Sequence, residues 1–149
     1  MLFRSTKVGT GTLTLSGANS YTGATTISAG TLALSGSGTI SSSSGVSATG
    51  TFDISGGTSG SSITTLSGSG NVNLGANTLT LTAASGSYSG VMSGTGGLTV
   101  SSGTQTLSGA NTYTGTTTIS AGTLAIGGAG SLGNGTYRSE EHTSELQSH

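Results

Sequence analysis

One phrase is written twice in this chain, and it restricts the fold more than any other feature. Leu15 to Leu34 reads LSGANSYTGATTISAGTLAL, and Leu107 to Ile126 reads LSGANTYTGTTTISAGTLAI. The copies differ only at Ser20/Thr112, Ala24/Thr116 and Leu34/Ile126, and the first and last of these changes keep the polarity class. Internal repetition of this fidelity marks an array of similar supersecondary units. Within the phrase, Thr25-Thr26-Ile27 and Thr31-Leu32-Ala33-Leu34 are β-branched or alternate with a period of two. Ser16-Gly17-Ala18-Asn19 and Ala29-Gly30 supply turn residues, with Gly or Asn at hand wherever φ must be positive. No segment has sustained apolar spacing at i, i+3, i+4, so helix is not expected.

A second rhythm runs between the copies. Gly11, Gly30, Gly50, Gly70 and Gly90 recur at nearly constant intervals. The first four open short strands with the apolar i, i+2 pairs Leu13/Leu15, Leu32/Leu34, Phe52/Ile54 and Val72/Leu74. Leu79/Leu81, Leu98/Val100 and Leu124/Ile126 continue the scheme with looser spacing. A period near 20 with an inward pair per strand suits one coil of a parallel β-helix. Six or seven coils stacked about 4.8 Å apart would make a rod on the order of 30 Å long. Ser41–Gly45 and Gly56–Ser62 read as turns between coils.

Composition supports a solenoid over a compact globule. Leu, Ile, Val and Phe make up about a fifth of the 149 residues, while the net charge is only −1. A globule would need a fatter core, and disorder would call for higher charge. A solenoid needs only a few inward residues per coil, because each coil packs on its neighbours. The absence of cysteine excludes disulfides and thiolate metal sites. No apolar run approaches membrane-spanning length, and no signal peptide precedes Thr6.

The pattern GTGTLTLSGANSYTG with TTISAGTLAL resembles the autotransporter-associated β-strand repeat of bacterial autotransporter passengers. Asn19-Ser20-Tyr21-Thr22-Gly23 and Asn111-Thr112-Tyr113-Thr114-Gly115 carry the likeness in both copies, and Gly90 to Leu98 looks like the lead-in of such repeats. The resemblance covers most of Thr6 to about Gly130. It implies a right-handed parallel β-helix (β-solenoid), here a fragment of a longer array. It also implies a non-catalytic stalk or scaffold contributing to adhesion, secreted or displayed at a Gram-negative cell surface, and outer membrane-associated. Membrane attachment would then run through a β-barrel translocator absent from this chain. The alternatives are an ice- or carbohydrate-binding β-solenoid, and the scaffold of an enzyme whose catalytic part lies elsewhere. An ice binder would need regular outward ranks of threonine. Thr12/Thr14 and Thr78/Thr80/Thr82 suggest them, but Thr51/Asp53 and Asn71/Asn73 break the series.

Both ends depart from the repeat. Arg138 to His149 holds three of the four acidic residues and both histidines, and it looks like the translation of a sequencing adapter. Leu2-Phe3-Arg4-Ser5 looks like the companion adapter. The expected division is therefore an adapter-like segment 1–5, a β-helix passenger fragment 6–137 and an adapter-like segment 138–149. Within 6–137 the only charged side chains are Lys7 and Asp53. That excludes nucleic acid as a partner, since electrostatic steering needs clustered Lys and Arg.

A lone carboxylate, Asp53, cannot supply the pair that glycoside hydrolysis needs, and abundant serine is no nucleophile without a base. No catalytic, cofactor-binding or metal residue is therefore assigned, and no cofactor is expected. His142 and Glu145 have metal-like spacing but fall in the adapter-like tail. Asn19, Tyr21, Asn111 and Tyr113 remain as candidate surface contacts, for a host cell, a carbohydrate or a second copy. Each also has a structural use: Asn in turns or side-chain ladders, Tyr capping a coil corner.

Overall fold

In the computed structural model the described residues are 3–139, together with a backbone strand at 145–148. His142, Glu140 and Glu141, and the side chain of Glu145, lie outside what is described. Eighteen short strands follow in order: β1 (Ser5–Lys7), β2 (Thr12–Leu15), β3 (Thr25–Ile27), β4 (Thr31–Gly36), β5 (Val46–Ala48), β6 (Thr51–Gly57), β7 (Ser61–Ile63), β8 (Leu66–Gly68) and β9 (Val72–Asn73). The second half holds β10 (Leu79–Leu81), β11 (Ser87–Tyr88), β12 (Met92–Ser93), β13 (Leu98–Val100), β14 (Thr104–Leu107), β15 (Thr117–Ile119), β16 (Thr123–Ile126), β17 (Tyr137–Ser139) and β18 (Glu145–Ser148). No helix occurs among the described residues.

The strands form three sheets. Sheet A has eight strands in the order β1-β3-β5-β8-β11-β14-β16-β18. Sheet B is β12-β9-β6-β4-β2, and sheet C is β17-β15-β13-β10-β7. Every described pairing is parallel. Each joins residues one coil apart, and the coil is shortest where Ser61 faces Leu79 and longest where Thr123 faces Glu145. The result is a β-solenoid of about seven turns. Its first coils put strands in sheets A and B, its middle coils in all three, and its last in A and C. At β18 only backbone groups are described. An open sheet edge can recruit any extended segment through its backbone, so adapter-like residues can pair there without belonging to the repeat.

The core is a column of inward side chains. Leu32, Leu34, Phe52, Ile54, Val72, Leu74, Leu79, Leu81, Leu98, Val100 and Leu124 are all essentially inaccessible. Alternation within each strand produces this: β3, β5, β7, β10, β13 and β15 all run buried, less buried, buried. Leu13 departs from its expected inward burial and is 42% exposed, because β2 is the outermost strand of its sheet and has a coil on one side only.

Two further expectations change. Gly56–Ser62 is not simply a turn: β6 continues through Gly57 with a register shift, and β7 starts at Ser61 and founds sheet C. The pairs Leu79/Leu81 and Leu98/Val100 lie in sheet C and Leu124/Ile126 in sheet A, so they do not extend the rank that begins at Leu32.

The glycine rhythm has a packing cause. A Cβ at Gly50 would lie 2.5 Å from the Gly30 carbonyl oxygen, at Gly70 1.8 Å from that of Gly50, and at Gly90 and Gly109 1.9 Å from those of Gly70 and Gly90. Successive coils touch backbone to backbone along this line, which only a residue without a side chain allows.

Candidate functional site

The repeated phrase builds one corner of a coil twice. The strand Thr-Thr-Ile points its first threonine inward, leaving Thr25 and Thr117 buried. A buried hydroxyl is costly without a partner. The tyrosine four residues earlier provides one: Tyr21 meets Thr25 Oγ1 at 2.8 Å, and Tyr113 meets Thr117 Oγ1 at 2.6 Å. In the first copy Thr25 Oγ1 also contacts Ser43 Oγ at 2.9 Å, and that hydroxyl lies within bonding distance of the Gly23 and Gly45 carbonyls. A specific buried serine is thus hidden in the low-complexity run Ser41–Gly45.

The asparagine two residues before the tyrosine joins coils. Asn111 Nδ2 donates to Gly109 O at 3.0 Å in its own turn and to Ser131 O at 2.8 Å in the next coil. Its Oδ1 accepts the Met92 N–H at 2.9 Å from the coil before. One side-chain amide therefore spans three coils, at a stretch where sheet B has no strand after β12. Asn19 repeats the donor half, to Gly17 O at 2.8 Å and Thr39 O at 3.2 Å.

Neither asparagine uses the left-handed backbone conformation expected of turn residues, since positive φ among the described residues is confined to glycine. Nor do the two form a side-chain ladder, because each bonds backbone.

Burial separates the two copies. Asn111 and Tyr113 are enclosed, with 4% and 0% exposure, whereas Asn19 and Tyr21 are half-buried. Asn111 and Tyr113 therefore face neighbouring coils and not an external ligand. Burial also pushes the Tyr113 phenol up to about 12, against a smaller downward pull from its bond to Thr117. Such a phenol stays protonated near neutrality and serves as a hydrogen-bonding strut. Tyr88, also inaccessible, donates to Gly70 O at 2.6 Å and is likewise raised by burial.

Elsewhere the surface between residues 6 and 137 is polar, with Asp53 its one carboxylate. Asp53 is half-buried: its Oδ1 accepts the Ser55 N–H at 2.8 Å and its Oδ2 accepts from Asn73 Nδ2 at 3.2 Å on the next coil. A groove of about 320 Å³ between Gly36–Ser41 and Thr58–Ser62 is lined by glycine, serine and threonine and carries no charged group.

Sheet C carries a feature that the linear spacing did not show. Ser62, Thr80, Thr99 and Thr118 stand in register on its outer side, one per coil. Thr12 and Thr14 lie on sheet B, so the two threonine sets belong to different faces.

Sequence reasoning passed over Gln105. It is completely buried, its Nε2 donating to Leu66 O at 3.1 Å, while its Oε1 has no partner among the described residues. Its position in alternation with Leu107 was the available signal for an inward side chain.

Residues 6–34 and 100–126 match the passenger-associated-transport-repeat family. These segments contain both corners just described. Comparison with curated proteins and with solved structures gave no match.

Proposed function

From a chain that carries two passenger-associated-transport repeats, we propose that it forms a non-catalytic length of the stalk of an autotransporter passenger, secreted or held at a Gram-negative cell surface, where it also presents an adhesive face. The observation carrying this reading is that both matched segments are built into solenoid coils, with a repeated Tyr–Thr bond inside the coil and a repeated asparagine that bonds the next one. A stalk needs such residues. Its strength comes from repetition, and its near-neutral surface has no clustered charge to recruit a polyanion.

The test is recovery of the gene with its flanking sequence. An in-frame C-terminal membrane β-barrel supports the reading, and a gene encoding a cytoplasmic enzyme without export signals overturns it.

The Ser62–Thr80–Thr99–Thr118 column favours a second reading, in which sheet C binds an ordered hydroxyl or water surface. Neighbouring hydroxyls in such a column repeat about every 4.8 Å. Inhibition of ice recrystallisation by the purified chain, abolished by Thr99→Lys, would support that reading. No inhibition by the unaltered chain would remove it.

A further inference from the structure

We infer that Asn134 is a site of spontaneous covalent modification, where the side-chain amide leaves as ammonia and the residue becomes isoaspartate or aspartate. Asn134-Gly135 is the one Asn-Gly pair in the chain. The reaction needs an asparagine amide open to water and free of other bonds, followed by a backbone N–H that can reach its Cγ. Each other asparagine fails one of these conditions. Asn19, Asn77 and Asn111 hold Nδ2 in bonds to carbonyls of neighbouring turns, and Asn73 holds it against Asp53 Oδ2. Asn71 is exposed but precedes Val72, whose branched side chain crowds the attack and whose N–H donates to Val91 O at 3.0 Å. Asn134 is exposed, and its side chain has no bonding partner among the described residues. Gly135 brings no side chain to obstruct the approach. The Gly135 N–H has no described acceptor either, whereas that of Gly115, its counterpart one coil earlier, donates to Gly96 O at 3.0 Å.

The exposure belongs to the position and not to an end of the stack. Thr114 stands at the same point one coil earlier, between the coils of Thr95 and Asn134, and is exposed all the same. The bend is held on both sides. The Tyr137 hydroxyl donates to Gly133 O, and the Thr117 N–H donates to Thr136 O at 2.8 Å. Asn134 and Gly135 are thus left unbonded between two fixed points. Loss of the proton from Gly135 N lets that nitrogen attack Asn134 Cγ. The new N–Cγ bond closes a succinimide ring, and the Cγ–Nδ2 bond breaks to release ammonia, which carries the proton away. Water then opens the ring, giving isoaspartate when it adds to the main-chain carbonyl and aspartate when it adds to Cγ. One water enters and one ammonia leaves, with no change of oxidation state. The product adds a carboxylate to a surface whose charged groups between residues 6 and 137 are Lys7 and Asp53.

The test is incubation of the folded full chain in mildly alkaline buffer beside the same chain unfolded in urea. Isoelectric focusing and mass mapping of the chymotryptic peptide 133–137 read the outcome. The folded chain should shift toward acid by a single charge, with isoaspartate at position 134, while Asn71 keeps its amide. Asn134→Thr, which copies Thr114, should abolish the shift. If that variant loses its β-sheet circular dichroism, hydroxylamine cleavage after Asn134 in the unaltered chain reads the succinimide instead, and its absence counts against the ring. An intact Asn134 in the folded chain after the unfolded one has converted overturns the inference, because the fold then blocks the attack. So does aspartate without isoaspartate, which would mean direct hydrolysis, and so does equal amide loss at Asn71.

Discussion

Gly70→Ala isolates what the glycine line contributes. The new methyl would sit 1.8 Å from the Gly50 carbonyl oxygen and 2.7 Å from the Thr49 carbonyl. Relieving even the closer of these contacts parts the two coils by roughly 1 Å, about a fifth of the usual spacing of about 4.8 Å between strands. The Gly70 N–H donates to Ala48 O at 2.8 Å, and an opening of that size takes the contact beyond hydrogen-bonding range. One or two such bonds at about 1–3 kcal/mol each, with overpacking of similar size, give a loss of about 3–5 kcal/mol. Two controls separate this from general glycine effects. Gly17 has nothing within 4 Å of where the methyl would stand and no positive φ, so Gly17→Ala should be neutral or stabilising by up to about 1 kcal/mol. Gly36 is equally open but has φ of 57°, so Gly36→Ala should cost about 1–2 kcal/mol from backbone strain alone. Urea titration followed by far-ultraviolet circular dichroism reads all three as midpoint shifts at constant slope. Equal midpoints for Gly70→Ala and Gly17→Ala would refute the close-approach argument.

Other outcomes follow from the same packing. Leu32→Ala, at a fully buried position, should cost about 2–4 kcal/mol and half-exposed Thr31→Ala under about 1 kcal/mol, measured in the same titration. Asn111→Ala strands the Met92 N–H and takes one of two donors from the Ser131 carbonyl, which keeps the Asn111 backbone N–H, so it should cost about 2–3 kcal/mol against about 1 kcal/mol for Asn19→Ala. The folded-state pKa of Tyr113 is raised above the ordinary phenol value of about 10, so its contribution is intact below pH 10 and is lost as pH climbs through about 12. For Tyr113 alone that loss amounts to about 2–3 kcal/mol, Tyr88 adds to it in the same direction, and alkaline unfolding monitored by phenolate absorbance checks it. Untrimmed nucleotide reads should place the codons for residues 1–5 and 138–149 in adapter, and their recurrence in independent copies of the gene would return Glu140, Glu141 and His142 to consideration.

Much of the architecture could be read directly because a strand's side chains alternate whatever surrounds it. Leu32/Leu34, Phe52/Ile54 and Val72/Leu74 therefore pointed to their interior before any fold was known. The polar corner was legible only in part. Asn and Tyr stood out by repetition, yet their partners could not be read, because Ser131 and Met92 lie about one coil away in opposite directions. Ser43 was invisible for a related reason, since a buried polar residue is defined by what encloses it, and for Gln105 alternation with Leu107 gave the direction of the side chain but not its partner Leu66.

The two copies of the phrase mark where local information stops. Nearly identical sequence makes nearly identical local structure, with the strand Thr-Thr-Ile, the Tyr–Thr bond and the asparagine bonds present in both. Yet Thr25–Ile27 lies in sheet A, while Thr117–Ile119 lies in sheet C. The phrase specifies a corner and the strands that leave it, through turn chemistry and alternation that act over a few residues. The face it occupies depends on the summed lengths of the intervening coils. Those lengths differ from coil to coil, so the stretch between the copies is not a whole number of turns. Only the stacking of those coils, through their glycine contacts and parallel register, decided that the first copy would leave its asparagine and tyrosine half-open at an end and the second would enclose them.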